Sequence, residues 1–321
     1  MSSKKSKFSI FIIFLLITLI VLIGSSESFT YSKVKNNTKF YKVAEGSSLY
    51  SVIEDLALEP MPKLLLKIYL KTNSINLAQA GLYHLQNKSW REFLSSVSKG
   101  DVAIFKLQIP AGKNLFELED IILELNLTYD CINFECLDKR FKFIEGTLNP
   151  DTYFYKDSAS LANILKVSQD QFFNLSTSIW SNRNIDLPLK SLSEAIILAS
   201  IVEKEAGNDE EKAIIAGVFL HRLSIGMRLQ ADPTIIYGLM PDFNGDITKA
   251  NLIDKNNLYN TYQIQGLPPT PISTISKSSL EAVILGMPND YLYFVAKGDG
   301  THKFSKTYKE HLDAVKKYQL N

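Results

Sequence analysis

Residues 191–239, SLSEAIILASIVEKEAGNDEEKAIIAGVFLHRLSIGMRLQADPTIIYGL, decide how the rest of the chain is read. The apolar run Ala195–Val202 is too continuous for a surface helix and predicts a buried one. Ser191 with Glu194 three residues later predicts a capping box at its start. Gly207, just past Glu203-Lys204-Glu205, predicts the left-handed residue that stops it. A second helix is expected from about Asp209 to a stop at Gly226. Asp232-Pro233 then predicts a cap followed by proline at the first helical position, opening a short third helix through Tyr237.

Glu203 and Glu205 stand two positions apart, roughly 200° around a helix, so they point to nearly opposite sides. Glu205 continues the stripe Leu198–Ile201–Val202 and lies in the last turn, where the helix dipole disfavours a further negative charge. Burial and dipole both raise its pKa, and a carboxyl kept protonated near neutrality can act as a general acid. From spacing alone, the competing reading is that both glutamates are ordinary solvated residues at a helix end.

Four blocks in order, ASIVEKEAG, FLHRLSIGMRLQADPTIIYGL, YNTYQIQGLPPTPIS and YLYFVAKGDGTHKFSKTYKEH, resemble the endolytic murein transglycosylases of the MltG/YceG-like family. The resemblance runs from about Phe40 to the C-terminus. It implies that the second glutamate of the VEKE segment, Glu205, is the catalytic acid; Glu203 keeps its solvated or structural reading.

The 321 residues suffice for about two domains, and 45% hydrophobic with 21% charged residues is ordinary for a folded protein. A net charge of +1 names no partner, and no basic block or reading motif argues for nucleic acid. The N-terminus departs from this. MSSKKSK precedes FSIFIIFLLITLIVLI, and no charge occurs between Lys7 and Glu27, a stretch within the roughly 17–25 residues that span a bilayer. Lys4, Lys5 and Lys7 favour a cytoplasmic N-terminus, although Lys33, Lys35 and Lys39 follow the span. A cleaved signal peptide ending near Gly24-Ser25-Ser26 is the alternative. The resemblance implies a retained single-pass anchor in the bacterial inner membrane with a periplasmic catalytic part.

The expected class is α+β: residues 1–7 cytoplasmic, 8–26 a transmembrane anchor, 27–39 a polar linker, 40–130 a small module, and 140–321 a mixed α+β catalytic domain. FYKVAEGSSLYSVIEDLAL at 40–58 resembles FKLQIPAGKNLFELEDIILEL at 105–125, each a strand, a turn at Gly46 or Gly112, and an amphipathic helix. Such a unit looks like the LysM-like module that precedes the catalytic domain in this family, where the implied ligand is glycan; a plain packing unit is the alternative. Helices over Pro62–Leu77 and Ser89–Ser98, with a strand around Tyr83, suggest a small mixed sheet. Cys131 and Cys136 are read as a local disulfide or as two buried thiols. Ala159–Ser181 and Ser278–Leu285 are expected helices, 291–296 a strand, and Gly266-Leu267-Pro268-Pro269 a rigid loop.

The resemblance implies cleavage of the β-1,4 bond between N-acetylmuramic acid and N-acetylglucosamine without water. Glu205 would protonate the leaving oxygen and then take the proton of the muramoyl 6-hydroxyl, which closes a 1,6-anhydro ring. Gln230, Asp232, Thr234, Tyr237, Asn260, Thr261 and Tyr262 suit sugar by type: amides and hydroxyls for hydrogen bonds, tyrosine faces for stacking. Asp232 is equally a helix cap. Glu145, in the block IEGTLNPDTYFY, is a second carboxylate near the cleft or a turn acceptor, and Arg222 and Arg228 are candidates for stem-peptide or lactyl carboxylates. Four histidines without paired spacing argue for no metal, and no cofactor is implied. Partners are glycan strands, the bilayer and, by the family association with strand termination, peptidoglycan synthases of elongation. The competing functions are a muramidase, which needs a second carboxylate to activate water, and a non-enzymatic glycan-binding membrane scaffold.

Overall fold

The computed structural model describes residues 2–320. Its backbone divides into two compact units, 1–105 with 154–158, and 106–153 with 159–321. The first holds α1 (Ser2–Phe29), β1 (Phe40–Val43), α2 (Leu49–Leu56), α3 (Pro60–Thr72), β2 (Gly81–His84), α4 (Trp90–Lys99) and the start of β3 (Ile104–Ile109). The second holds α5 (Leu115–Leu123), most of the chain around β4 (Asp151–Lys156), and α6 (Leu161–Ser181), α7 (Leu192–Glu205), α8 (Asp209–Ser224) and α9 (Asp232–Gly238). It continues through α10 (Lys249–Ile253), α11 (Lys277–Ile284), β5 (Tyr293–Ala296), β6 (His302–Ser305) and α12 (Tyr308–Tyr318).

Helix α1 contains a stretch, Ser6–Phe29, long and apolar enough to cross a membrane. Its side chains from Phe8 to Leu22 are largely exposed. In water that surface would cost about 1.5–3 kcal/mol for each large apolar side chain left unburied. The polar segment after it is not a free linker. Ser26, Thr30 and Val34 are buried, Glu27 accepts from Asn73 Nδ2 at 2.8 Å and pairs with Arg91, and the Trp90 and Arg91 N–H groups donate to Ser32 and Thr30 carbonyls. A Ser/Asn/Lys-rich composition concealed this because the partners lie far along the chain, at the end of α3 and on α4.

The two repeat copies do share one local structure. Gly46 and Gly112 both sit at φ 77°, a conformation costly for any residue with a Cβ, and each turn leads into a helix closed by a capping box, Ser48 with Ser51 and Asn114 with Glu117. One copy lies in each unit. The expected mixed sheet is absent among the described residues: strands pair two by two, β1 antiparallel to β2, β3 with β4, and β5 antiparallel to β6. The first core gathers Leu49, Ile53, Leu66, Leu70, Tyr83 and Phe93. Cys131 and Cys136 are joined in a disulfide.

At the centre of the second unit lies α7, with every residue from Ala195 to Val202 buried among side chains of α6, α8 and α11. Its caps differ from expectation. Ser191 accepts from the Glu194 N–H, but the Glu194 carboxylate takes the Lys190 N–H at 2.6 Å, so only half the box forms. Ala206 closes the helix in extended conformation. Gly207 is not left-handed; a Cβ there would lie 2.4 Å from the Gly300 carbonyl oxygen, so the residue serves a close backbone approach.

Candidate functional site

Glu203 and Glu205 leave the end of α7 in different directions, as their spacing requires. The Glu203 carboxylate accepts from the Ser276 N–H at 3.0 Å and from the hydroxyls of Ser276 and Ser279, each at 2.5 Å. The buried Lys212 ammonium stands 3.4 Å away. That carboxylate ties α7 to the start of α11 and is fully occupied.

Glu205 instead borders a cavity of about 480 Å³ and has no protein hydrogen-bond partner among the described residues. Its pKa is pushed up to about 8, first by burial, then by the negative charge of Asp232, with Arg222 pulling the other way. At neutral pH such a carboxyl carries its proton and can give it away. Arg222, on α8, is buried with its guanidinium fixed by the Leu292 carbonyl at 2.8 Å and by the Leu229 carbonyl. It lies 5.7 Å from the centre of the Tyr293 ring.

The same cavity collects Gln230, Asp232 and Tyr262 of the expected set. Asp232 is not the cap of α9: Ala231 occupies that position and Asp232 the first helical one. Its exposed carboxylate accepts from Tyr262 Oη at 2.6 Å, and burial followed by this bond raises the Tyr262 pKa. Gln230 holds φ at 50°, a strained setting for a residue with a side chain.

The other expected sugar contacts lie elsewhere. Thr234 and Thr261 are fully buried and bond each other at 2.9 Å, with Thr261 Oγ1 also accepting the Ala231 N–H. Asn260, also fully buried, donates to the carbonyls of Asn251, Leu252 and Asp254. These three shape the loop under Gln230 and Asp232 and cannot reach a sugar. Their polar side chains, read as recognition groups from sequence, satisfy buried backbone. Tyr237 donates to Glu145 at 3.0 Å. Glu145 is buried and also accepts from Leu115 N–H and Gly146 N–H; burial pushes its pKa to about 7. Neither lines the Glu205 cavity. Arg228 donates to the Tyr262 carbonyl at 3.0 Å.

The opposite wall comes from β5, β6 and α12, and sequence reading assigned it no role. The Tyr293 ring stacks on His311 at 5.2 Å, Tyr308 stands 5.8 Å from Tyr293, and all three line the cavity with His302. Burial, then Arg222, lowers the His311 pKa. His302 Nδ1 lies 2.7 Å from Glu211. The signal was present in the block YLYFVAKGDGTHKFSKTYKEH, whose rings and histidines recur at the site. The linear spacing could not say that they face Glu205.

The chain is 29% identical to a Bacillus subtilis protein named endolytic murein transglycosylase, over 92% of this chain and 89% of that one. It is 27% identical to a Streptococcus pneumoniae protein of the same name, over 81% of this chain but 55% of the relative, and so spans about half the length of the pneumococcal protein. A crystal structure of a yceG-like protein from Listeria monocytogenes superposes with a TM-score of 0.55 at 27% identity, covering 85% of this chain and 97% of that one. A family model described as the YceG-like family matches residues 41–317, and the chain belongs to that family.

Proposed function

We propose that this protein is a membrane-anchored endolytic lytic transglycosylase that cleaves the bond between N-acetylmuramic acid and N-acetylglucosamine in peptidoglycan, leaving 1,6-anhydro ends. The observation that carries the reading is Glu205: an unpartnered carboxyl, held protonated, in a cavity walled by tyrosines and amide or carboxylate groups. Tyr262, Tyr293 and Tyr308 offer faces for pyranose rings, and Gln230 and Asp232 offer hydrogen bonds to hydroxyl and acetamido groups. The names of the bacterial relatives support the same substrate.

Glu205 gives its proton to the glycosidic oxygen as the C1–O bond breaks. The muramoyl 6-hydroxyl attacks C1 from within the substrate, so one carboxyl acid suffices where ordinary glycosidases need two carboxylates. Asp232 holds negative charge beside the developing oxocarbenium ion and helps keep the acid protonated. Arg222 limits that rise and, with its guanidinium fixed, positions Tyr293.

The apolar α1 anchors the enzyme, with Lys4, Lys5 and Lys7 on the cytoplasmic side and the catalytic unit outside. The first unit, LysM-like in its strand, glycine turn and helix, holds glycan. Cutting strands as they are made sets the enzyme beside the peptidoglycan synthases of elongation.

The test is mass spectrometry of fragments released from purified sacculi by the full chain in detergent, alongside Glu205→Gln. Anhydro-muramic ends from the wild type alone are expected. Reducing ends, about 18 Da heavier by one water, would replace the reading with a muramidase using Asp232. Equal release by a folded Glu205→Gln would show that Glu205 is not the acid.

A further inference from the structure

Glu211 is the third residue of α8, where a glutamate ordinarily turns back to accept the N–H of the cap residue. Glu92, Glu117 and Glu310, at the same position of α4, α5 and α12, do so. In α8 the cap Asn208 accepts the Glu211 N–H at 3.1 Å, but the Glu211 carboxylate is turned to β6. One oxygen takes the His302 N–H at 2.8 Å and the other lies 2.7 Å from His302 Nδ1. In the tautomer that donates from Nδ1 to Glu211, Nε2 carries the free lone pair, and it has no protein partner among the described residues.

Nearby backbone brings this pair to Glu205. Gly207, two residues beyond Glu205, packs so closely on Gly300 that no side chain fits between them, and Asn208 Nδ2 donates to the Gly300 carbonyl at 3.3 Å. The turn that leads into His302 is therefore clamped to the loop that follows the acid, and both residues line one cavity.

We propose that His302, oriented by Glu211, is the second proton-handling residue of this site and takes the proton of the attacking 6-hydroxyl; this rests on the transglycosylase reading above. The O6–C1 bond forms as the C1–O4 bond breaks. The electron pair of the broken bond goes to O4, which receives the Glu205 proton, while the O6 proton goes to His302 Nε2. The imidazolium is held against the Glu211 carboxylate, and exchange with solvent returns the proton to Glu205 after release. Splitting the work lets bond breaking and ring closure proceed together, whereas a single carboxyl must finish donating before it can accept. Among the described residues, the ionisable groups around His302 are Glu211 from α8 and, lining the same cavity, Glu205, Arg222, Asp232, Tyr262, Tyr293, Tyr308 and His311.

The experiment measures kcat and KM on soluble glycan strands from pH 5 to 9 with the full chain in detergent, for wild type, His302→Gln and Glu211→Gln, with product masses and melting temperatures alongside. Loss of a positioned base predicts a fall in kcat of about 10²-fold or more for His302→Gln, with KM little changed. The acidic limb of the wild-type profile should vanish in that variant. In Glu211→Gln, which keeps the histidine but removes the charge that stabilises its cation, the limb should move to lower pH with a smaller loss of kcat. His302→Ala should regain activity with added imidazole, which a purely structural histidine would not permit. A kcat for His302→Gln within threefold of wild type, or an acidic limb unchanged in both variants, would overturn the proposal. If His302→Gln does not fold, an unshifted limb in Glu211→Gln overturns it alone. Reducing ends from the wild type would instead remove the transglycosylase reading beneath it.

Discussion

Replacing Glu205 by Gln should stabilise the protein, by an amount that grows with pH. The Glu205 pKa is raised from 4.5 to about 8 by burial and by Asp232. Above 4.5 the unfolded chain sheds this proton while the folded protein keeps it, so the folded state loses stability as pH rises until its own carboxyl ionises near 8. Below 4.5 both states hold the proton and the penalty is absent. At 1.36 kcal/mol per pH unit the cost to the wild type is about 2 kcal/mol at pH 6 and about 3 kcal/mol at pH 7, levelling off above 8. Gln has no proton to lose and escapes it. Urea unfolding at pH 4.5, 6, 7 and 8 measures the difference. The chain has two tryptophans, and in a Trp90→Phe background Trp180 fluorescence reports the second unit, against whose core that ring packs. The variants should coincide near pH 4.5 and diverge by about 1.4 kcal/mol per unit thereafter. A gain that does not change with pH, or a Gln variant less stable at pH 8, would refute the view that Glu205 is held protonated by its surroundings.

Glu203→Ala, two residues away, should do the opposite: it removes the acceptor of three donors at the start of α11, while Lys212 keeps its pair with Asp209, and should cost about 1–3 kcal/mol in the same unfolding assay. Asn260→Ala should lower stability by about 1–3 kcal/mol, since three loop carbonyls lose their donor, while KM for glycan stays near wild type. Gly207→Ala drives a Cβ to 2.4 Å from the Gly300 carbonyl oxygen and should cut kcat by displacing the turn before His302, seen as lost activity in a folded protein. Removing both cysteines opens a loop of sequence separation 5. On chain entropy that should cost about 2 kcal/mol, with glycan cleavage per folded molecule unchanged.

Local chemistry was legible without coordinates. The spans of α6, α7, α8, α9 and α11, the opposed directions of Glu203 and Glu205, the apolar N-terminal helix and the paired strand–turn–helix copies all follow from periodicity, capping types and glycine placement, which act over a few residues, whereas α10 and α12 went unexpected. Asp232 shows the limit of that scale: an Asp-Pro pair reads as cap and first residue, yet Ala231 takes the cap and the carboxylate turns to Tyr262.

What only the tertiary structure decided is which polar groups meet the cavity and which spend themselves on the chain. Asn260, Thr261, Thr234 and Glu145 have the right chemistry for sugar, but each is buried against backbone donors or acceptors it must satisfy, and unpaired groups there would be costly. Tyr293, Tyr308, His302 and His311 join Glu205 from about ninety to a hundred residues further along the chain. Their pairing depends on Gly207 lying against Gly300 and on Glu211 forgoing its cap, contacts between distant segments that no local pattern encodes.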